Sequence, residues 1–255
     1  MVRAGRQIGE DAGVSNDLLM RVRVVLVEPQ HPGNIGAAAR AMKTMGLSDL
    51  ALVRPDKFPH PEAAAMAVGA TDLLDAAPIH ADLPAAIGDC GLVVGCSARL
   101  RSLPHNTSTP RELAPRLARE IGGRIALVFG SERVGLSNED LELCHELVSI
   151  PANPDFRVLN LAAAVQILCY ELRLASAAQL AGAPEHVPVD QREMELFFAH
   201  LERVLVELKF LNPQHPRQLM RRLRRLYSRA VPNENEMHIL RGILAAIEGR
   251  GGAHG

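Results

Sequence analysis

The segment from Ile125 to Arg173 constrains the fold more than any other part of the chain. Ile125-Ala-Leu-Val-Phe129 is an unbroken apolar run with β-branched residues, the pattern of a strand covered on both faces. A strand of that kind needs a sheet with a layer above and a layer below it. Gly130-Ser-Glu-Arg-Val-Gly135 follows at once, so the backbone turns tightly at the strand's C-terminal end. Ser137 opens Ser-Asn-Glu-Asp, a capping-box-like helix start with Asp140 three residues on. Leu147 to Ile150 reads as another short strand stopped by Pro151, and Asn160 as the N-cap of a helix over Leu161–Ala178. That helix is apolar on nearly every side, so more than one neighbour must cover it.

The same alternation runs through the preceding residues. Strands are predicted at Val22–Glu28, Asp49–Val53 and Leu92–Gly95, with a brief one at Pro78–Ile79. Between them lie a helix from Asn34 to Met45 closed by Gly46, a short helix over Glu62–Val68 and another around Asp82–Ile87. Ser97 to Pro110 is a long polar loop before a helix over Arg111–Ile121. Strands alternating with helices imply an α/β fold with a parallel sheet. Residues 1–20 read as a polar, disordered arm, 21–180 as the α/β domain and Ala181–Asp190 as a linker. Residues 191–248 form a wholly helical C-terminal extension: an apolar stripe from Met194 to Leu211, then helices over Pro216–Ala230 and Asn233–Glu248. Residues 249–255 are a flexible tail.

Composition narrows the function. A formal net charge of −1 argues against a uniformly basic nucleic-acid binder, so local clusters matter more than totals. The four cysteines show neither CxxC pairing nor regular histidine spacing, which disfavours zinc and a disulfide framework; no metal is expected, and the cytoplasm is the expected compartment. No apolar run approaches a membrane span, and the N-terminus lacks the apolar core of a signal peptide. Neither GxGxxG nor a P-loop follows any predicted strand, which weakens a nucleotide-dependent oxidoreductase.

Two loops and one helix carry candidate chemistry. Strand ends and helix N-termini offer unpaired N–H groups, so the loop before Leu161 can host a ligand; an ordinary βα connection fits equally well. Asn34-Ile-Gly-Ala-Ala-Ala-Arg40 sits just after the first strand and, unaided, also reads as a capped amphipathic helix with a surface arginine. Arg217, Arg221, Arg222, Arg224, Arg225 and Arg229 fall between Pro216 and Ala230 with no acidic residue among them. Like charges so placed repel, and phosphate binding gives them a reason; Arg99 and Arg101 can extend the same surface.

GSERVGL at 130–136, IPANPDFRVLNLAAAV at 150–165 and the NxGxxxR pattern of Asn34–Arg40 resemble three ordered motifs of the SpoU/TrmH methyltransferases of the SPOUT superfamily. That resemblance implies a trefoil knot in the α/β domain, which chain topology ordinarily avoids. It implies S-adenosylmethionine (SAM) as cofactor, held by Cys96, Ser97, Ala98, Gly130, Glu132, Ile150, Val158, Leu159 and Asn160. Arg40 would then be the principal catalytic residue, with Asn34 shaping the same pocket. Where the family reads Ser-Leu-Asn this chain has Val158-Leu-Asn160, so a hydroxyl contact is missing. The C-terminal PRQLMRRLRRLYSRA and NENEMHILRGILAAI resemble the extension of the TrmJ-type tRNA 2′-O-methyltransferases, which act on nucleotide 32 of the anticodon loop. The resemblance spans residues 21 to 248. The partners it implies are tRNA and a second copy of the chain, with neither DNA nor a membrane. Methylation of another tRNA position or of rRNA, and a catalytically silent RNA-binding module, are the alternatives.

Overall fold

The computed structural model describes residues 18–98, 106–119, 121–178, 186–213 and 218–251. A one-turn helix α1 (Leu18–Arg21) leads into strand β1 (Val22–Val27). Then come α2 (Pro32–Met45), β2 (Asp49–Val53), α3 (Pro61–Ala67), α4 (Thr71–Ala76), β3 (Ile79–His80), α5 (Leu83–Ile87) and β4 (Leu92–Cys96). The second half of the α/β region holds β5 (Thr107–Ser108), α6 (Pro110–Arg119), β6 (Ile125–Phe129), α7 (Asn138–Glu142), β7 (Glu146–Val148) and α8 (Leu161–Ala178). Helices α9 (Gln191–Glu207), α10 (Leu219–Ala230) and α11 (Glu234–Gly251) complete the chain.

All the strand pairings are parallel, in the order β3-β2-β1-β6-β4-β7-β5. The Ile125–Phe129 strand, β6, takes the central place, and each of its five residues is buried. Alternate residues serve opposite cores. Val22, Val24 and Leu26 of β1 join Ile125, Leu127 and Phe129 of β6 in the larger core beneath α1, α2, α6 and α8. Val25, Val27, Ala126 and Val128 point into the smaller core with residues of α5 and α7. The period of two thus survives, though both faces are dry. A third core joins Val189 to the C-terminal helices around Phe197, Phe198, Met194 and Met237.

Three of the expected domain boundaries differ in the fold. Leu18–Arg21 is helical rather than part of an arm: Leu18 and Leu19 are buried and Arg21 donates to the Ile121 carbonyl at 2.7 Å. From His186 the expected linker is a strap along the α/β body. Gly122 N donates to the His186 carbonyl at 2.6 Å, and Gln191 N to that of Cys90 at 3.0 Å. α11 continues through Gly251, into the stretch expected to be a tail. Residues 1–17, 181–185 and 252–255 of the expected arm, linker and tail lie outside the described residues.

Candidate active site

The C-terminal ends of β4 and β6 open onto one cavity, the usual place for a ligand on a parallel sheet. Cys96, Ser97 and Ala98 form one wall, Phe129 to Leu136 a second, and Ile150, Val158, Leu159, Leu161 and Ala164 a third. The second wall depends on two glycines. A Cβ on Gly130 would sit 2.1 Å from the Gly135 carbonyl carbon, and Gly135 itself has φ +73°. Gly135 N closes the turn on the Ser131 carbonyl at 2.8 Å. Ser137 then caps α7 with the reciprocal Asp140 capping box expected from the sequence.

Glu132 reaches out of that turn to the other end of the site. Its carboxylate accepts from Gln30 N at 2.9 Å, His31 N at 3.2 Å and Asn34 Nδ2 at 2.8 Å. Asn34 is therefore not the N-cap of α2. The helix begins two residues earlier at Pro32, His31 makes no side-chain cap, and a carboxylate from the far loop sits at its positive end. Burial alone would raise the Glu132 pKa, but the hydrogen bonds from Asn34 and the two backbone N–H groups outweigh it and hold the carboxyl below its ordinary range. Asn160 extends the chain: its Nδ2 donates to Asn34 Oδ1 at 2.9 Å, while its Oδ1 caps α8 by accepting from Ala162 N at 2.9 Å. Three residues from three distant segments thus form one hydrogen-bonded line.

Of the residues the sequence singles out, Cys96, Ser97, Ala98, Gly130, Glu132, Ile150, Val158 and Leu159 line the cavity, and Asn34 and Asn160 adjoin it through Glu132. Arg40 is exposed on α2, is not among the cavity's lining residues, and has no carboxylate within ion-pair distance among the described residues. Burial pushes the Cys96 thiol up to about 12, so it is a neutral wall and not a nucleophile. Val158, 61% exposed, stands on the cavity's rim. Sequence reasoning misses Phe129, Leu161 and Ala164, whose apolar surroundings mark them as core. It also misses Ser131, Arg133, Val134 and Leu136, although the GSERVGL motif contains them. Among the described residues no group of three or more His, Cys, Asp and Glu could hold a metal, and no helix is long and apolar enough to cross a membrane.

The expected arginine helix is α10. Arg221 pairs with Glu142 of α7 at 2.6 Å, and Arg224 with Glu195 of α9 at 2.6 Å. Arg222, Arg225 and Arg229 have no carboxylate partner among the described residues, and Arg99, Arg101 and Arg217 lie outside them.

Residues 21–170 match the model of the SpoU rRNA Methylase family, and residues 192–254 that of the tRNA methyltransferase TrmJ C-terminal domain. The chain is similar to the tRNA (cytidine/uridine/adenosine-2′-O-)-methyltransferase TrmJ of Pseudomonas aeruginosa, with 51% identity over 91% of this chain and 95% of that protein. It is similar to the tRNA (cytidine/uridine-2′-O-)-methyltransferase TrmJ of Pectobacterium atrosepticum, with 49% identity over 91% and 98%. The crystal structure of TrmJ from Z. mobilis superimposes with a TM-score of 0.78 at 35% identity, over 89% of this chain and 98% of that one.

Proposed function

The chain belongs to the SpoU rRNA Methylase family, and on that premise we propose that it methylates a ribose 2′-hydroxyl of tRNA with SAM as donor. The target we assign is nucleotide 32 of the anticodon loop, as cytidine or uridine. The observation that carries this reading is the line Glu132–Asn34–Asn160, which joins all three family motifs beside one cavity. Support for tRNA comes from the C-terminal match and from the names of relatives about half identical over nearly the whole chain. Nucleotide 32 rests on the TrmJ-type resemblance.

The cavity suits the cofactor chemically. Its lining offers apolar side chains and main-chain turns at strand ends, with the Glu132 carboxylate and the Arg133 guanidinium as its charged groups, a match for the adenosyl group, the cationic sulfonium and the carboxylate of SAM. When bound there, SAM supplies a methyl group that is already a strong electrophile. The protein's work is therefore alignment and a route for the departing proton. Asn34, its amide fixed from both sides, shapes the approach of the ribose. Arginine side chains do not give up their proton in proteins, so Arg40 orients the ribose or its phosphate and stabilises charge developing on the oxygen, while water or phosphate takes the proton.

Arg40 and the cavity are brought together in a homodimer. Supporting this, Tyr170 and Leu174 on α8 are 47% and 45% exposed, an apolar strip on a helix whose other sides are packed. The family's trefoil knot belongs to the same reading: β6 lies between β1 and β4, and the chain returns from β7 through residues 149–160 to α8, as such a crossing requires. The test is transfer of labelled methyl from SAM to an unmodified tRNA and to the same tRNA carrying a 2′-deoxy nucleotide at position 32. We expect one labelled ribose, with no label on the deoxy substrate. Label elsewhere in tRNA or only on rRNA would move the substrate, and RNA binding without transfer would leave a silent binding module.

A further inference from the structure

The sequence presents α10 as one basic surface, but the fold divides its arginines. At 100° per residue, Leu223 and Tyr227 lie on one side of the helix, and both pack against the C-terminal core. Arg221 and Arg224 fall together on another side, turned toward carboxylates: Arg221 to Glu142 at 2.6 Å and Arg224 to Glu195 at 2.6 Å. Arg224 is held further by the Phe198 ring, 4.6 Å from its guanidinium carbon. Arg222, Arg225 and Arg229, at spacings of three and four, make an adjoining stripe along about 10 Å of helix axis, with Arg225 about 40° round the helix from Arg221. No carboxylate among the described residues meets them.

The Arg221–Glu142 contact joins two functional parts. Glu142 ends α7, the short helix that begins directly after the cavity turn ending in Leu136. The seam around it is loosely filled. A cavity of about 570 Å³ lies between Pro84, Gly88, Glu139, Glu142, Phe198 and Arg224. Apolar packing therefore does not fix the angle of α10 across this seam, and a directional ion pair spans it.

We propose that the two sets of arginines have different duties. Arg222, Arg225 and Arg229 take RNA phosphates. Arg221 and Arg224, already held by Glu142 and Glu195, are positioning residues that set that stripe at a fixed angle to the cofactor cavity. The proposal rests on the reading of the chain as a tRNA methyltransferase. It refines that reading, because binding a phosphate and positioning a helix leave different signatures. Removing one phosphate-binding cation lowers the log–log salt slope of binding by about 0.7–0.9. Removing a positioning residue leaves the slope alone and shows in turnover with bound tRNA.

The experiment measures affinity for unmodified tRNA at several salt concentrations, with kcat and KM for methyl transfer, on full-length chains. The triple variant Arg222→Gln, Arg225→Gln, Arg229→Gln is expected to flatten the slope by about 2–3 units and weaken binding about 10²-fold or more at low salt. Arg221→Gln and Glu142→Gln are expected to keep the wild-type slope and SAM affinity but lower kcat at saturating tRNA about tenfold. The exchange Glu142→Arg with Arg221→Glu is expected to restore kcat, a rescue that general loss of folding would not give. If Arg221→Gln flattens the slope as much as one stripe arginine does, phosphate displaces Glu142 and the division is wrong. If Glu142→Gln leaves kcat unchanged, or the exchange fails to restore it, the pair does not position the helix. A wild-type chain that binds tRNA but transfers no methyl overturns the enzyme reading, whereas an active wild type with the wrong variant pattern overturns the division alone.

Discussion

His145, just before β7, offers the clearest quantitative test of how the site's walls are held. It is 5% exposed and sits between β7 and β4, where its backbone N donates to the Val93 carbonyl at 2.9 Å and its Nδ1 accepts from Val93 N at 3.0 Å. Burial pushes its pKa from 6.5 down to about 4. The unfolded chain therefore binds the proton first as pH falls, and the stability from neutral His145 is full above about 6.5 and lost on the way down to about 4. The loss relative to pH 7.5 is about 2 kcal/mol at pH 5 and about 3 kcal/mol at pH 4. β4 delivers Cys96–Ala98 and β7 leads to Ile150, so this loss falls on two cavity walls. His145→Asn places an untitratable acceptor near the position of Nδ1. Urea unfolding of both proteins between pH 4 and 7.5 gives the difference in stability, in which the other titrating groups cancel. That difference should be level above pH 7 and fall by about 2 kcal/mol by pH 5. A difference that stays level through pH 5 would refute the argument.

Arg40→Ala should keep SAM affinity and lose about 10²–10⁴ in turnover, the scale of a positioned group at the reacting atoms; calorimetry with SAM beside single-turnover transfer separates the two, and near-normal transfer removes Arg40 from the mechanism. Ala164 lines the cavity, so the dimer is better probed at Leu174. Leu174→Arg should place a charge in the proposed interface and yield monomers in sedimentation, with transfer abolished, because Arg40 would no longer meet a cavity; a dimer of unchanged affinity argues against that face. Glu132→Ala leaves two backbone N–H groups and the Asn34 amide without their acceptor, and should cost about 1–3 kcal/mol in urea unfolding. The hydrogen-bonded carboxyl titrates below its ordinary range, so this contribution should be present above the unfolded pKa and fade as pH falls through the folded one.

Much of this fold is legible in the sequence because its signals are local. β6, the Ser137 capping box, the Asn160 cap and the full span of α8 follow from apolar runs and capping chemistry within a few residues of each other. The features that sequence misplaces depend on distant partners. The start of α2 is set by a carboxylate about a hundred residues away, so Asn34 looks like a cap and is instead a relay between Glu132 and Asn160. Ala181–Asp190 has the composition of a linker, yet from His186 onward its backbone is committed to Gly122 and Pro232. The arginines of α10 look unopposed in sequence because Glu142 and Glu195 come from other helices. The motif residues of the site can be found in the sequence; which of them touch cannot.

The glycine of the first motif shows how packing can hide inside a functional signature. Gly36 lies two residues after Asn34 and four before Arg40, so it reads as part of the catalytic pattern. In the fold it is where α2 meets α3. A Cβ there would stand 2.0 Å from the Ala63 carbonyl oxygen and 2.8 Å from its carbon, and both are backbone atoms that cannot swing aside. Gly36→Ala must push the two helices apart, and overpacking of this kind costs about 1–3 kcal/mol or more. Gly242, inside α11, is the internal control. It has no neighbour within 4 Å of an added Cβ and no positive φ, so Gly242→Ala should stabilise the chain by about 0.5–1 kcal/mol through helix propensity alone. Urea unfolding of the two variants should therefore move in opposite directions. The Gly36 variant should also lose methyl transfer, because displacing α2 moves Asn34 off the Glu132 carboxylate and Arg40 with it. If Gly36→Ala is as stable as wild type but inactive, the glycine serves the reaction directly and the helix contact is not what requires it.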